Sequence, residues 1–338
     1  MARICGFVPK MRYPGTGLDR IETMNEALNH KPHIALISST LDLSFLKDAF
    51  KASGLGARLS IYPEAGFETA DVAVAWNPPH GLLATMPNLR LVHSIAAGLD
   101  NIFADPGLPS LPVCRVVDDR HALGMAEYAI WSVLLFHREM DRHLQNATLK
   151  CWERPSQIPA RDYSVGILGF GAIGRTVGRS LLALNYNVRA WARSPKEEAG
   201  IITYYGDEQL PVFLSGCNAV ICLLPLTGAT RGIMNANLFA QLPKGAAIIN
   251  MGRGEHLVEA DLIEAIDSGH LRGAMLDVFT KEPLPEDSPL WDHPKIFTTP
   301  HIASMPDPKD VVAQIFENAT RVLAGMPPLN EGNRDSGY

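Results

Sequence analysis

The sequence predicts an α/β protein made of two parallel-sheet domains. Three observations predict it. At 338 residues the chain is too long for one compact core and suits two. Apolar runs of strand length alternate with segments of helical periodicity, in two successive series. A glycine-rich turn sits where the first strand of the second series meets a helix. Hydrophobic residues make up 46% and charged residues 20%, the balance of an ordinary folded protein.

No element is assigned to residues 1–30, whose periodicity is weak. "HIALISS" (33–39) reads as a buried strand, and "LDLSFLKDAFKASG" (41–54) as a helix closed by its glycine. "ARLSIYP", "DVAVAW" and "LRLVHSIA" (89–96) are the next strands. A long apolar-periodic helix is expected from about Leu123 to Leu149, followed by the polar loop "CWERPSQIPARDY". In the second series "SVGILGF", "NVRAWAR", "AVICLLPL", "AAIINMG", "GAMLDVF" and "KIFTTP" are strands. The closing segment "DPKDVVAQIFENATRVLAG" is an amphipathic helix, with Val311, Val312, Ile315, Phe316, Ala319, Val322 and Leu323 on one face. It follows the second series and is expected to return to the first domain. Domain boundaries are placed at 1–120 plus 304–338 and at 121–303.

A net charge of −6 argues against nucleic-acid binding. No apolar run reaches membrane-spanning length, and "MARICGFVPKMRYPGTGLDR" lacks the apolar stretch and cleavage site of a signal peptide. The cysteines, Cys5, Cys114, Cys151, Cys217 and Cys222, are scattered and odd in number. That suits the reducing cytoplasm and argues against a zinc site. The crowding of Tyr128, Trp131, Leu134, Leu135 and Phe136 on the expected long helix exceeds what one domain surface is expected to cover, so a homodimer is expected there.

"GFGAIG" contains Gly169-x-Gly171-x-x-Gly174, preceded by a strand, opening a helix and followed by a second strand. In a Rossmann-like βαβ unit Gly169 allows the tight turn. Gly171 lets the backbone approach a pyrophosphate, and Gly174 lets helix and strand pack closely. The helix start at Ala172 and Ile173 offers N–H groups to the phosphates. A methyltransferase with a similar loop is the rival reading. At the end of the second strand, "VRAWARSPK" puts Ala192 where an NAD enzyme carries a carboxylate, followed by Arg193, Ser194 and Lys196. Those groups suit a 2′-phosphate, so NADPH is expected over NAD.

"INMGRGEHL", "AMLDVFTKEPL" and "TTPHIAS" place Arg253, Asp277, Glu282 and His301 at or just beyond strand ends, where ligands of parallel sheets bind. Reduction of a 2-keto acid needs a cation for the carboxylate and carbonyl, a role for Arg253. It also needs an acid for the carbonyl oxygen, which suits His301, with Glu282 favouring and orienting the imidazolium. A metal site is the alternative use of Asp, Glu and His, but no metal-ligand spacing supports it, and none is expected.

With "SIAAGLDNI", "MAEYAIWSVL", "GFGAIG", "LLPLT", "INMGRG", "GAMLDVFTKEPLP" and "TTPHIAS" in this order, the chain resembles the D-isomer-specific 2-hydroxyacid dehydrogenases over about residues 33 to 325. The resemblance implies two Rossmann-like domains with the active site in the cleft between them. It implies that Arg253 binds substrate, Glu282 and His301 form the acid pair, and Asp277 contacts the nicotinamide. Leu224 and Pro225 of "LLPLT" are carried over as cofactor contacts. Backbone N–H groups around Ala97 and Gly98 are implied to hold the substrate carboxylate. "AWNPPHGLL", with Trp76 before Pro-Pro, is similar to the bacterial glyoxylate/hydroxypyruvate reductase branch, and Trp76 is a candidate substrate contact or a packing residue. Asp100 is read as capping or stabilising its loop rather than touching substrate, and His93 and His121 as without chemical role. Other readings are a nucleotide-sensing scaffold or corepressor on this fold, or a dehydrogenase for another acid such as phosphoglycerate. The latter would want basic residues that "HSIAAGLDNIFADPG" lacks.

Overall fold

The computed structural model describes residues 31–334. The first 30 residues, with Cys5 and the stretch read for a signal peptide, lie outside the described residues. Two compact units emerge. One extends to Val116 and resumes over Asp307–Gly332, and the other is Val117–Pro306.

The first unit is a five-stranded parallel sheet of β1 (His33–Ser38), β2 (Arg58–Ile61), β3 (Val72–Trp76), β4 (Leu91–Ser94) and β5 (Val113–Cys114), in the order β2-β1-β3-β4-β5. Helix α1 (Ser44–Ser53) follows β1 and ends at Gly54, whose φ of 69° sets a left-handed cap. β1 is apolar without alternation because both faces are covered. Ile34, Leu36, Val74 and Leu91 face Leu46 and Phe50 of α1 and Val312, Ile315 and Phe316 of the C-terminal helix (Pro308–Leu323). Ala35, Ile37, Ala73 and Val92 face Phe67, Leu83, Leu99 and Ile102. The C-terminal helix therefore returns to the first unit, as its apolar face predicts. Its buried Asn318 ties this packing together, bonding His93 Nε2 at 3.1 Å and both backbone groups of Leu329 at 2.7 and 3.0 Å.

The second unit begins with helix α2 (Asp119–His137), capped by the Asp118 carboxylate, which accepts from Arg120 N at 2.9 Å. Helix α3 (Met140–Thr148) comes next. The expected single helix from Leu123 to Leu149 is thus two. Glu139 breaks it in the left-handed region, at φ 51°. Beyond His137 the sequence has no continuous apolar stripe to bury, and α3 buries none of its residues. The apolar crowd on α2 is divided. Leu135 and Phe136 lie in the core of their own unit with Val133, Val165 and Ile249, while Trp131 is exposed.

Seven parallel strands follow: β6 (Ser164–Leu168), β7 (Asn187–Ala192), β8 (Ile202–Tyr205), β9 (Ala219–Cys222), β10 (Ala246–Asn250), β11 (Leu271–Leu276) and β12 (Ile296–Thr298). Their order is β12-β11-β10-β9-β6-β7-β8. β6 leads through helix α4 (Ala172–Ala183) to β7, and β9 pairs with the other side of β6. The chain therefore reverses its direction of travel across the sheet between β6 and β9, the topological switch point where open α/β sheets bind ligands.

Candidate active site

At the switch point Gly169 turns with φ 101°. A Cβ on it would lie 2.7 Å from the Leu223 carbonyl oxygen, so the glycine turn rests on the backbone of Leu223 and Leu224 beyond β9. A Cβ on Gly174 would lie 2.2 Å from the Gly169 oxygen, which brings α4 onto its own turn. Gly171 differs, since its Cβ would meet nothing within 4 Å. Next to that open backbone α4 starts at Ala172 and Ile173 without a side-chain cap. An open, uncapped helix start at a switch point fits the pyrophosphate of a dinucleotide.

Beyond β7 the side chains of Arg193, Ser194 and Lys196 are exposed and enter no hydrogen bond or ion pair among the described residues. Glu198 stands nearby in sequence, but its charge is matched. It accepts from Arg179 at 2.9 Å and from Arg175 at 2.8 Å, and these bonds hold its carboxyl below the ordinary glutamate range. Arg175 also donates to the Glu197 carbonyl at 3.0 Å, fastening the basic turn to α4.

Arg253 follows β10 on a loop built by two buried side chains. Asn250 donates to the Arg253 carbonyl at 2.9 Å and accepts from Gly252 N at 3.2 Å. His256 Nδ1 accepts from Arg253 N at 3.0 Å, so Nε2 carries the proton that points at the Pro225 carbonyl, 3.3 Å away. His256 thereby braces the Pro225 loop against the Arg253 loop. Gly254 makes a second junction. A Cβ there would lie 1.8 Å from the Phe279 carbonyl carbon and 2.1 Å from Thr280 N. The Arg253 loop thus sits directly against the backbone that leads to Glu282.

Glu282 Oε1 accepts from Phe279 N at 3.0 Å, and Oε2 lies 2.9 Å from His301 Nδ1. Burial pushes its carboxyl up, but the His301 bond and charge, the Phe279 bond and the Arg253 charge outweigh it and hold the group below the ordinary glutamate range. His301 adopts φ 55°, and its N–H is shared between the Asp277 carbonyl at 2.9 Å and the Thr299 carbonyl at 3.0 Å. Asp277 is buried, and its carboxylate accepts from Thr299 Oγ1 at 2.6 Å, Ile302 N at 2.8 Å and Ala303 N at 2.9 Å. Burial raises its carboxyl in spite of those bonds. The nicotinamide contact implied for Asp277 is therefore joined by a local task that the sequence does not reveal: both oxygens clamp the His301 loop.

Arg253, Glu282, His301 and Asp277 thus come together in one unit, and His121 joins them. Burial lowers its imidazole, and the Arg253 and His301 charges lower it further, against the Asp118 charge. The sequence reading gave His121 no role, because no motif marks it. In the first unit Trp76 ends β3 half-buried. The loop after β4 is shaped by Ser94, whose Oγ donates to the Gly98 carbonyl at 3.0 Å and accepts from Ala96 N at 3.1 Å. Among the described residues no acceptor takes the N–H of Ala97 or Gly98. Asp100 opens a short helix, Asp100–Phe103. Among the described residues no cluster of three His, Cys, Asp or Glu side chains could hold a metal ion. No described helix is long and apolar enough to cross a membrane.

A dinucleotide turn on the same sheet edge as an arginine and a carboxylate–histidine pair is the equipment of a hydride-transfer enzyme acting on small hydroxy or keto acids. Residues 130–303 match the family model described as D-isomer specific 2-hydroxyacid dehydrogenase, NAD binding domain, and the chain belongs to that family of oxidoreductases. Within it, glyoxylate/hydroxypyruvate reductase A of Salmonella newport is 40% identical over 275 residues, covering 80% of this chain and 88% of that one. A D-isomer specific 2-hydroxyacid dehydrogenase of Xanthobacter autotrophicus, solved with NADPH and MES, superposes with a TM-score of 0.83 at 37% identity, covering 91% of this chain and all of that one. An NADPH-dependent glyoxylate/hydroxypyruvate reductase of Sinorhizobium meliloti, solved with NADP and sulfate, gives a TM-score of 0.84 at 33% identity with the same coverage.

Proposed function

We propose that this enzyme reduces a small 2-keto acid of the glyoxylate or hydroxypyruvate type to the 2-hydroxy acid, with NADPH as the preferred cofactor and His301 as the proton donor. The observation that carries the reading is the Glu282–His301 pair, with Nδ1 held at 2.9 Å by the carboxylate, so that Nε2 is the acid nitrogen. The bound reduced nicotinamide supplies the hydride. Asp277, just beyond β11, is its proposed protein contact, besides clamping the His301 loop. Arg253 pairs with the substrate carboxylate and polarises the carbonyl, and its guanidinium stabilises the negative charge growing on that oxygen. His301 then gives its proton to the oxygen, and Glu282, held at Nδ1, keeps the ring turned so that Nε2 faces the substrate. In the first unit the N–H groups of Ala97 and Gly98 form the proposed carboxylate-binding loop, with Trp76 as a further substrate contact.

The exposed Arg193, Ser194 and Lys196 favour a 2′-phosphate, and two of the similar solved proteins are described with NADPH or NADP. On α4, Ala172 and Ile173 serve the pyrophosphate, and Leu224 and Pro225 flank the same turn. A cytoplasmic homodimer goes with this reading. Trp131, Leu144, Leu149 and Trp152 are exposed on or just after α2 and α3, and a second copy would cover such a surface. The test is a panel of 2-keto acids, each assayed with NADPH and with NADH. Turnover of glyoxylate or hydroxypyruvate with NADPH is expected to lead. Equal kcat/KM for the two cofactors, or no turnover of any keto acid, overturns the reading.

A further inference from the structure

We propose that Tyr128 of α2 is a positioning residue for His301, acting through Thr299 and Asp277. This rests on His301 being the acid. Tyr128 OH bonds Thr299 Oγ1, and Thr299 Oγ1 bonds Asp277 Oδ1. Hydroxyl bookkeeping fixes the direction of both bonds. The Asp277 carboxylate takes three hydrogen bonds, from Thr299, Ile302 and Ala303, so the single Thr299 proton points at Asp277. Thr299 Oγ1 is then the acceptor for Tyr128, and the phenol is the donor. Burial raises the Tyr128 hydroxyl well above the ordinary tyrosine range, so the proton needed for this bond stays in place.

The chain of bonds ends on the segment that shapes His301. Asp277 holds His301 N with its own carbonyl and the next two N–H groups with its carboxylate. His301 sits at φ 55°, which a non-glycine residue keeps only when its surroundings impose it. α2 is a firm base for that restraint, because Met125, Ala126, Ala129 and Val133 lock it into the core. One face of the helix runs along the loop. A Cβ on Gly124 would lie 2.7 Å from Ser304 Oγ, and Tyr128, four residues on, faces Thr299. The Trp131 ring meets the Tyr128 ring edge-on at 5.6 Å and steadies the phenol.

The test compares Tyr128→Phe, Thr299→Val, the double variant and Thr299→Ser, with kcat and KM on the best keto acid and NADPH affinity by fluorescence. Tyr128→Phe should lower kcat about three- to tenfold, with KM and NADPH affinity near wild type, the worth of one neutral hydrogen bond. Thr299→Val should cost roughly ten- to hundredfold, since it removes a bond to a charged group. Thr299→Ser should recover most of that loss. In the Thr299→Val background Tyr128→Phe should cost nothing more, because its route is already cut. Wild-type kcat in Tyr128→Phe, additive losses in the double variant, or a loss confined to KM or NADPH affinity would overturn the proposal. His301→Gln separates the two layers. If it abolishes turnover while Tyr128→Phe is silent, only the positioning role fails; if His301→Gln turns over like wild type, the acid assignment fails with it.

Discussion

Gly254→Ala tests the junction between the loop of Arg253 and the loop of Glu282. The new Cβ would stand 1.8 Å from the Phe279 carbonyl carbon, 2.1 Å from Thr280 N and 2.3 Å from the Phe279 oxygen. Carbon atoms rest in contact at about 3.5 Å, so one backbone has to retreat by roughly 1.7 Å. No side chain can swing aside to relieve it, because all three atoms belong to main chain. Overpacking of this kind costs typically about 1–3 kcal/mol. Its effect on rate is expected to be larger. A misplacement of about 1 Å between reacting groups is worth on the order of a hundredfold. Steady-state kcat/KM should fall by about that factor, while NADPH affinity, proposed to rest on the glycine turn and α4, should change far less. Gly228→Ala is the control, since its Cβ would meet nothing within 4 Å. A Gly254→Ala enzyme with wild-type kcat/KM would show that the closeness of these loops does not set the catalytic geometry.

Three further outcomes are expected. His301→Gln should keep much of the substrate affinity and lose about 10²–10⁴ in kcat, the worth of a positioned acid, measured by steady-state kinetics. Arg193→Ala should weaken NADPH by about ten- to hundredfold and leave NADH almost unchanged, and equal losses for both would refute the 2′-phosphate assignment. Burial lowers the His93 imidazole to about 4, so the folded first unit excludes a proton that the unfolded chain binds between about pH 4 and 6.5. Stability should therefore be full above that window and fall as pH drops through it, by up to about 3 kcal/mol. Chemical unfolding as a function of pH should show a shallower slope for His93→Gln, and an identical slope would refute the assignment.

Both parallel sheets were legible because their strands are runs such as "HIALIS" and "AAIIN", buried on both faces and bounded by turn residues. β8 was not legible. It is an edge strand with half-exposed residues, and its pattern does not stand out from a loop. The break at Glu139 was hidden because a helical period runs on through a polar stretch, and only the left-handed residue there reveals the stop. That Arg253, Glu282 and His301 gather in one place was legible, since strand ends of a parallel sheet share one edge. The roles of His256, Thr299 and Tyr128 were not. Each depends on which two loops meet, and Thr299 pairs with a residue 171 positions away. The same holds for His121.

The return of the C-terminal helix to the first unit has a consequence for biosynthesis. The face of the first sheet that carries Ile34, Leu36, Val74 and Leu91 is closed by Val312, Ile315 and Phe316. During synthesis those three residues emerge about 200 residues after Val116, which at about 5–20 residues per second is a wait of roughly 10–40 s. The sequence of Val117–Pro306 is contiguous and can complete its sheet on the ribosome within that interval. The order of folding is then inverted relative to the order of the chain: the N-terminal strands, translated first, are the last to have their core sealed. Until then Ile34, Leu36, Val74 and Leu91 have only Leu46 and Phe50 of α1 against them, and the rest of that face waits for the C-terminal helix.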